Sequence, residues 1–396
     1  MDSTAPSRPG WSERAVAERE AHDARLAPLD FNLAPFTVVW EVTRACALKC
    51  LHCRAEAQPR RHPLELTTEE GYALLRQIKE FGDPIFVVTG GDPMMRRDLF
   101  DLLEYAVRIG LRTSLAPSAT KLVTRARLER VKATGVKRIA ISLDGPNAVV
   151  HDAFRATKGS FQRTVEVLND INEVGLSLQI NSTVSRYNRD CLDELAEVVA
   201  SFRPVQWSVF FLVPTGRGQA SDLLSAEEHE QVLNWLYDCS QRAPFDIKST
   251  AAQHYRRVVI QRERVARAAE GGITAPAVAP LTLAGAGYQY QDGLQRPTKG
   301  VNDGNGFCFI SHRGEVCPSG FLPAVAGNVR QSTVAEIYRN APLFCALRDT
   351  SKLQGKCGWC EFREVCGGNR SRAYALTGDY LASDPACAYV PQTPLR

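Results

Sequence analysis

No apolar run in the 396-residue chain approaches the ~20 residues that a membrane-spanning helix needs, so no membrane association is expected. Residues 1–35 mix charges with Ala and Pro and lack the apolar core of a secretory leader, which points to a cytoplasmic protein. A dominant charge is missing too: 48 Lys and Arg face 44 Asp and Glu, and a net charge of +4 excludes a dedicated nucleic-acid binder. No internal repeat occurs, which excludes a solenoid or propeller. Cysteine, by contrast, is abundant. Most of the twelve thiols fall at 46–53 and 308–387 instead of being spread as in a small secreted scaffold, a distribution that favours metal binding in a reducing compartment over disulfides.

The length suits one large domain and a smaller one, and 44% hydrophobic with 23% charged residues is ordinary for a globular protein. Residues 1–35 read as an N-terminal arm: a mobile tail, then a charged segment over Trp11–Leu26 that is either a capping helix or ordered only on docking. From residue 36, short β-rich runs alternate with helical stretches. The expected strands are Phe36–Val42, Ile85–Thr89, Arg112–Ala116, Lys137–Leu143, Leu178–Val184 and Gln206–Val213. Phe161, Val165, Leu168 and Ile171 mark the clearest helical stripe between them. Six such units predict an α/β fold over 36–270, a partial (β/α)6 TIM-like barrel with its functional loops at the strand C-termini. Ser225–Ala243 and Ser249–Ala269 read as helices, and 271–305, rich in Gly and Pro, as a linker or loop over the barrel mouth. Residues 306–396 form a small cysteine-rich domain with a hairpin near Gly314 and a helix near Thr333–Arg339.

Cys46, Cys50 and Cys53 follow the first strand on one short loop. Three thiols at this spacing can hold three corners of a 4Fe-4S cube and leave one iron open for chemistry. The rival, a zinc loop, uses the same soft ligands. Cys357, Cys360 and Cys366, with Cys387, supply four thiols, which suits either a fully ligated second cluster or a structural zinc. Cys308 and Cys317 read as packing thiols by default, and Cys191, Cys239 and Cys345 as buried hydrophobes.

The C-x3-C-x2-C loop after a strand resembles the signature of the radical S-adenosylmethionine (radical SAM) enzymes. Thr89-Gly-Gly-Asp-Pro93 resembles their Gly-Gly-Glu-Pro segment, with Asp92 where Glu is usual. The resemblance implies that Gly90, Gly91, Asp92 and Pro93 receive the methionine amino group of S-adenosyl-L-methionine, while Ser142 and Arg155 hold its carboxylate. Arg suits that task because its planar fork binds carboxylate bidentately. Asn181, Ser182 and Thr183 would then meet the ribose, Leu212-Val-Pro214 would flank the adenine, and His52 would occupy the position of an adenine-side aromatic. The C-terminal cysteines resemble a SPASM-type auxiliary-cluster domain. Arg370 and Ser319 stand where members with a further cluster carry cysteine, which implies one auxiliary 4Fe-4S cluster here.

Cys317-Pro-Ser-Gly-Phe-Leu-Pro323, Gly327-Asn-Val-Arg330 and Cys366–Tyr380 look closest to the enzymes of alternative haem and haem d synthesis. A tetrapyrrole substrate with propionates is implied, with Arg256, Arg257, Arg330, Arg370 and Arg372 as carboxylate partners, beside His254 and Tyr255. The expected reaction starts with an electron from a low-potential donor of flavodoxin or ferredoxin type and reductive cleavage to a 5′-deoxyadenosyl radical, and it ends as a net oxidation. Two alternatives stand beside it: a maturase of a ribosomally made precursor peptide, and a non-catalytic zinc-binding protein.

Overall fold

The computed structural model describes residues 30–269 and 300–392. Most of the expected N-terminal arm and nearly all of the expected 271–305 loop lie outside the described residues.

Seven strands form a parallel sheet in chain order: β1 Thr37–Glu41, β2 Ile85–Thr89, β3 Arg112–Leu115, β4 Arg138–Ser142, β5 Leu178–Val184, β6 Gln206–Phe211 and β7 Asp246–Thr250. Alternation decides which face goes where. Val38, Trp40, Phe86, Val88, Ile139, Ile141 and Ile180 are buried in the main core, where the helices pack, whereas Val39, Val87, Ser142, Asn181 and Thr183 point to the other face and stay partly exposed. The result is a barrel-like parallel sheet, open on one side, whose strand C-termini share one rim.

Local chemistry sets the helices on that sheet. Helix Thr68–Phe81 begins at a reciprocal capping box between Thr67 and Glu70. Gly71 lets it approach, since a Cβ there would come within 2.8 Å of the Leu102 side chain and 2.9 Å of the Trp40 ring. The expected stripe lies on helix Ser160–Val174, which buries Leu168 and Ile171 and packs Phe161 and Val165 at the core margin.

The structure corrects the sequence reading beyond residue 240. The stretch read as a helix from Ser249 instead opens with β7, and the helix starts at His254. Asp246-Ile-Lys-Ser-Thr250 carries only one large apolar residue, so its strand character comes from pairing with β6 (Ile247 opposite Trp207). At the other edge β8 Phe307–Ile310 pairs parallel with β1, placing Phe309 opposite Val39. It turns through Gly314 (φ +82°) into antiparallel β9 Glu315–Cys317 and then β10 Gly327–Asn328. The cysteine-rich segment thus extends the barrel sheet into ten strands in the order β10-β9-β8-β1-β2-β3-β4-β5-β6-β7. Among the described residues no helix is long and apolar enough to cross a membrane.

Candidate active site

The loop after β1 carries Cys46, Cys50 and Cys53, which gather with Leu48 and Ala57 into one small cluster at the rim. Backbone amides point at the sulfurs: Leu48 N–H lies 3.3 Å from Cys46 Sγ and Ala57 N–H 3.5 Å from Cys53 Sγ. Ser118 Oγ sits 3.6 Å from Cys46 Sγ, and Arg155 Nη1 3.6 Å from Cys50 Sγ. Burial pushes the Cys46 thiol up. Donors converging on sulfur are what a metal-bound thiolate uses, so the set fits an iron–sulfur group.

Gly90 and Gly91 press against the base of this loop. A Cβ on Gly90 would stand 2.7 Å from Thr43 O, and one on Gly91 2.6 Å from the carbonyls of both Arg44 and Ala45. Backbone cannot yield as a side chain can, so only glycine fits. Gly91 N–H donates to Thr43 O (2.8 Å) and Asp92 N–H to Ala45 O (2.6 Å). Asp92 is fully buried and its carboxylate is already engaged, capping Met94 N–H (3.1 Å) and accepting from Thr120 Oγ1 (2.8 Å). Pro93 opens the short helical turn that this cap starts.

Across the rim, Ser142 at the end of β4 lies in register with Asn181 of β5. Asp144, two residues on, is fully buried and 2.5 Å from Arg155 Nη2. Burial is the largest single influence and raises the Asp144 carboxyl, but the Arg155 guanidinium, the neighbouring imidazoles and the Thr183 N–H together outweigh it, and the net direction is down. His52 stacks on Phe154 with ring centroids 4.1 Å apart and lies 3.8 Å from Asp144. Burial lowers its pKa to about 4, so it is neutral at pH 7. His52 Nδ1 and Arg155 Nε are buried without a hydrogen-bond partner among the described residues, as expected where a polar ligand completes the site. Ser182 does not join this group: its hydroxyl bonds Leu143 O (2.5 Å) and accepts from Trp207 Nε1 (2.9 Å) on the core side. Asn181 and Thr183 keep the outward face.

Sequence reasoning missed two supports of the cysteine loop. Arg217, in the turn after β6, donates to Cys50 O (2.9 Å) and Ala57 O (3.3 Å), while its backbone N–H reaches Cys53 O (3.0 Å). The neighbouring Gly216 (φ +65°) fits because a Cβ would lie 2.5 Å from the carbonyls of Cys53 and Arg54; the Gly-Arg-Gly turn was the available signal. Glu41 joins Arg54 (2.8 Å) and His312 (2.8 Å), tying β1 and the cysteine loop to the β8–β9 turn. That tie has no local sequence signature.

Cys357, Cys360, Cys366 and Cys387 line one cavity with His254 and Gly368. Phe362 N–H points at Cys360 Sγ and Gly368 N–H at Cys366 Sγ, both at 3.4 Å. Burial raises Cys360 to about 11 and Cys366 to about 12. Arg370 donates to Tyr380 O (3.0 Å) and Ala382 O (2.6 Å), and its Nη2 lies 3.8 Å from Cys357 Sγ. Ser319 Oγ meets Ser371 Oγ at 3.0 Å. Cys308 and Cys317 are buried within the sheet, whereas Cys345, expected inside, is exposed in the middle of helix Pro342–Arg348, and Cys191 and Cys239 are half-buried.

The five arginines expected to meet propionates are instead engaged by the protein. Arg330 pairs bidentately with Glu70 (2.5 and 2.8 Å). Arg372 grips Asp384 twice at 3.1 Å and reaches Ala251 O. Arg256 holds Val301 O and Val365 O, Arg257 holds Glu230, and Arg370 is bound as above. Tyr255 is wholly buried in the core.

A three-thiol loop, a Gly-Gly turn against it and a buried arginine beside it, all on one barrel rim, define an iron–sulfur enzyme that uses S-adenosylmethionine. The chain belongs to the radical SAM superfamily, whose family model matches residues 40–199. It is 42% identical to an AdoMet-dependent heme synthase of Nitratidesulfovibrio vulgaris, over 91% of this chain and 94% of that one. It is 30% identical to a PqqA peptide cyclase of Bradyrhizobium diazoefficiens, over 90% and 87% of the two chains. Streptococcus suis SuiB, solved bound to S-adenosylmethionine, has the same fold (TM-score 0.65, 15% identity, covering 95% of this chain and 81% of that one). A 4Fe-4S cluster and S-adenosylmethionine are the cofactors of this class.

Proposed function

We propose that this enzyme oxidatively modifies the propionate side chains of a haem-type tetrapyrrole. The observation that carries this reading is the 42% identity to a heme synthase along nearly the whole of both chains. The 30% identity to a peptide cyclase supports the second reading, maturation of a precursor peptide, less strongly.

Cys46, Cys50 and Cys53 would hold the 4Fe-4S cluster, which together with S-adenosylmethionine would supply the 5′-deoxyadenosyl radical chemistry of this class. The chain's own residues do the positioning. Gly90 and Gly91 present bare backbone to the methionine amino group, and the inward-turned Asp92 fixes that turn. The fork of Arg155, together with Ser142, receives the methionine carboxylate; Asp144 keeps the guanidinium charged and aimed. Asn181 and Thr183 face the ribose, Leu212–Pro214 flank the adenine, and the His52–Phe154 stack offers a flat apolar wall. Cys357, Cys360, Cys366 and Cys387 would hold the single auxiliary cluster, which gives the electron left on the substrate somewhere to go.

The test is turnover. Anaerobically reconstituted enzyme with S-adenosylmethionine, reductant and a propionate-bearing iron porphyrin should remove carboxyl groups from the porphyrin. An unchanged porphyrin alongside a modified precursor peptide would favour the second reading. Zinc in place of about eight irons per chain would sink both.

A further inference from the structure

An electron must reach the Cys46 loop while the concave face is filled by cofactor and substrate, so its donor has to approach from another side. On the outer flank an open groove of about 420 Å³ lies between the starts of helices Leu99–Arg108 and Arg125–Ala133. Its lining includes Arg97, Arg127 and Arg130 around Met94, Met95 and Phe100, and no acidic side chain is part of it. Arg97 and Arg130 are exposed, and Arg130 lies over the Phe100 ring at 4.1 Å. Arg127 is anchored by a 3.0 Å bond from Nη2 to Met94 O. The further lining arginine, Arg96, is buried and held by Asp98, so it stiffens the wall and leaves the groove's charge to the other three. Glu104, 3.9 Å from Arg130 at the margin, offsets only part of that charge.

The groove wall connects directly to the cysteine loop. Met94 N–H bonds the Asp92 carboxylate (3.1 Å), Asp92 N–H bonds Ala45 O (2.6 Å), and Ser118 Oγ joins Gly91 O (2.9 Å) to Cys46 Sγ (3.6 Å). We propose that this groove is the docking surface for a small acidic electron-carrier protein of low potential, which delivers electrons to the Cys46 side of the site. A ring of cations around the half-exposed Met95 suits a protein partner with an exposed redox group set among carboxylates: the charges steer the encounter, and the arginines, with Arg130 and Arg127 lying over the buried Phe100 ring, form the contact face. The inference rests on the radical SAM chemistry of the site.

The experiment compares two reductants for S-adenosylmethionine cleavage by the cluster-loaded enzyme: dithionite, which needs no docking, and an acidic flavodoxin with its reductase. The double variant Arg97→Glu/Arg130→Glu should keep its dithionite-driven rate and lose about 10-fold or more of its flavodoxin-driven rate at low salt. Added salt should slow the flavodoxin-driven wild type and leave the variant little changed. Equal rates for variant and wild type with flavodoxin would overturn the proposal, as would a short DNA or RNA that binds through these arginines while flavodoxin does not. Should the double variant fold poorly, Arg97→Gln alone must show the same selective loss, and its absence counts against the groove. A wild type inert with dithionite would instead refute the reading of the site itself.

Discussion

At the scale of single residues, Arg155 is the side chain whose role is most sharply drawn. It is 9% exposed, paired with Asp144 and within reach of a cluster-site sulfur. Arg155→Ala strands a buried carboxylate and should destabilise the fold by ~3–5 kcal/mol. Arg155→Lys keeps the charge and much of that stability but loses the bidentate fork. Both variants should retain iron at Cys46, Cys50 and Cys53 while S-adenosylmethionine cleavage falls by about 10-fold or more, each unit of ~1.4 kcal/mol of lost binding being tenfold. Iron analysis beside a 5′-deoxyadenosine assay checks this; unchanged cleavage in the lysine variant would remove Arg155 from the carboxylate site. Gly91→Ala makes the complementary case, because its Cβ would stand 2.6 Å from two backbone carbonyls. The cysteine loop should then be displaced and fail to hold iron, read as the loss of about half the iron per chain.

At the scale of elements, the C-terminal thiol site is locked to the barrel by Arg372. Its guanidinium bonds Asp384, three residues before Cys387, and also the carbonyl of Ala251 after β7. Nearby Asp384 also sits 3.1 Å from His254 Nε2 and accepts from Asn369 N–H (2.8 Å). Burial pushes the Asp384 carboxyl up, yet Arg372 and His254 hold it well below the usual carboxylate range. Arg372→Met should therefore cost ~3–5 kcal/mol and strip iron from the C-terminal site first. Denaturation and iron content together test that order. This network also shows where sequence reading stops. The Cys46 loop, Gly90-Gly91 and the first six strands were legible because each is a local pattern of spacing or alternation. β7 was not, since Lys248, Ser249 and Thr250 become a strand only beside β6. Nor could the partners of Arg330 and Arg372 be read: charge is visible in a sequence, but Glu70 and Asp384 find these arginines only once the chain has folded.

At the scale of the whole molecule, one ten-stranded sheet carries the cysteine loop near its middle and the C-terminal hairpin at its edge. The two ends of the chain's chemistry are thus one packed body, and its stability should depend on pH through buried imidazoles. Burial lowers His151 to about 4 and His229 to about 3, against ~6.5 in an unfolded chain. In that interval the unfolded chain binds more protons than the folded one, so stability is greatest above about pH 6.5 and falls as pH drops toward 4. A melting temperature lower at pH 5 than at pH 7.5 is expected, with a shallower slope in His229→Gln. The proposed function also belongs to this scale, because it draws on both thiol sites and the concave face at once. The most direct test uses a propionate-bearing iron porphyrin deuterated along its propionate side chains, with the fully loaded enzyme and S-adenosylmethionine. Deuterium should appear in 5′-deoxyadenosine in step with carboxyl loss from the porphyrin; deuterium-free 5′-deoxyadenosine with the porphyrin intact would contradict the proposed function.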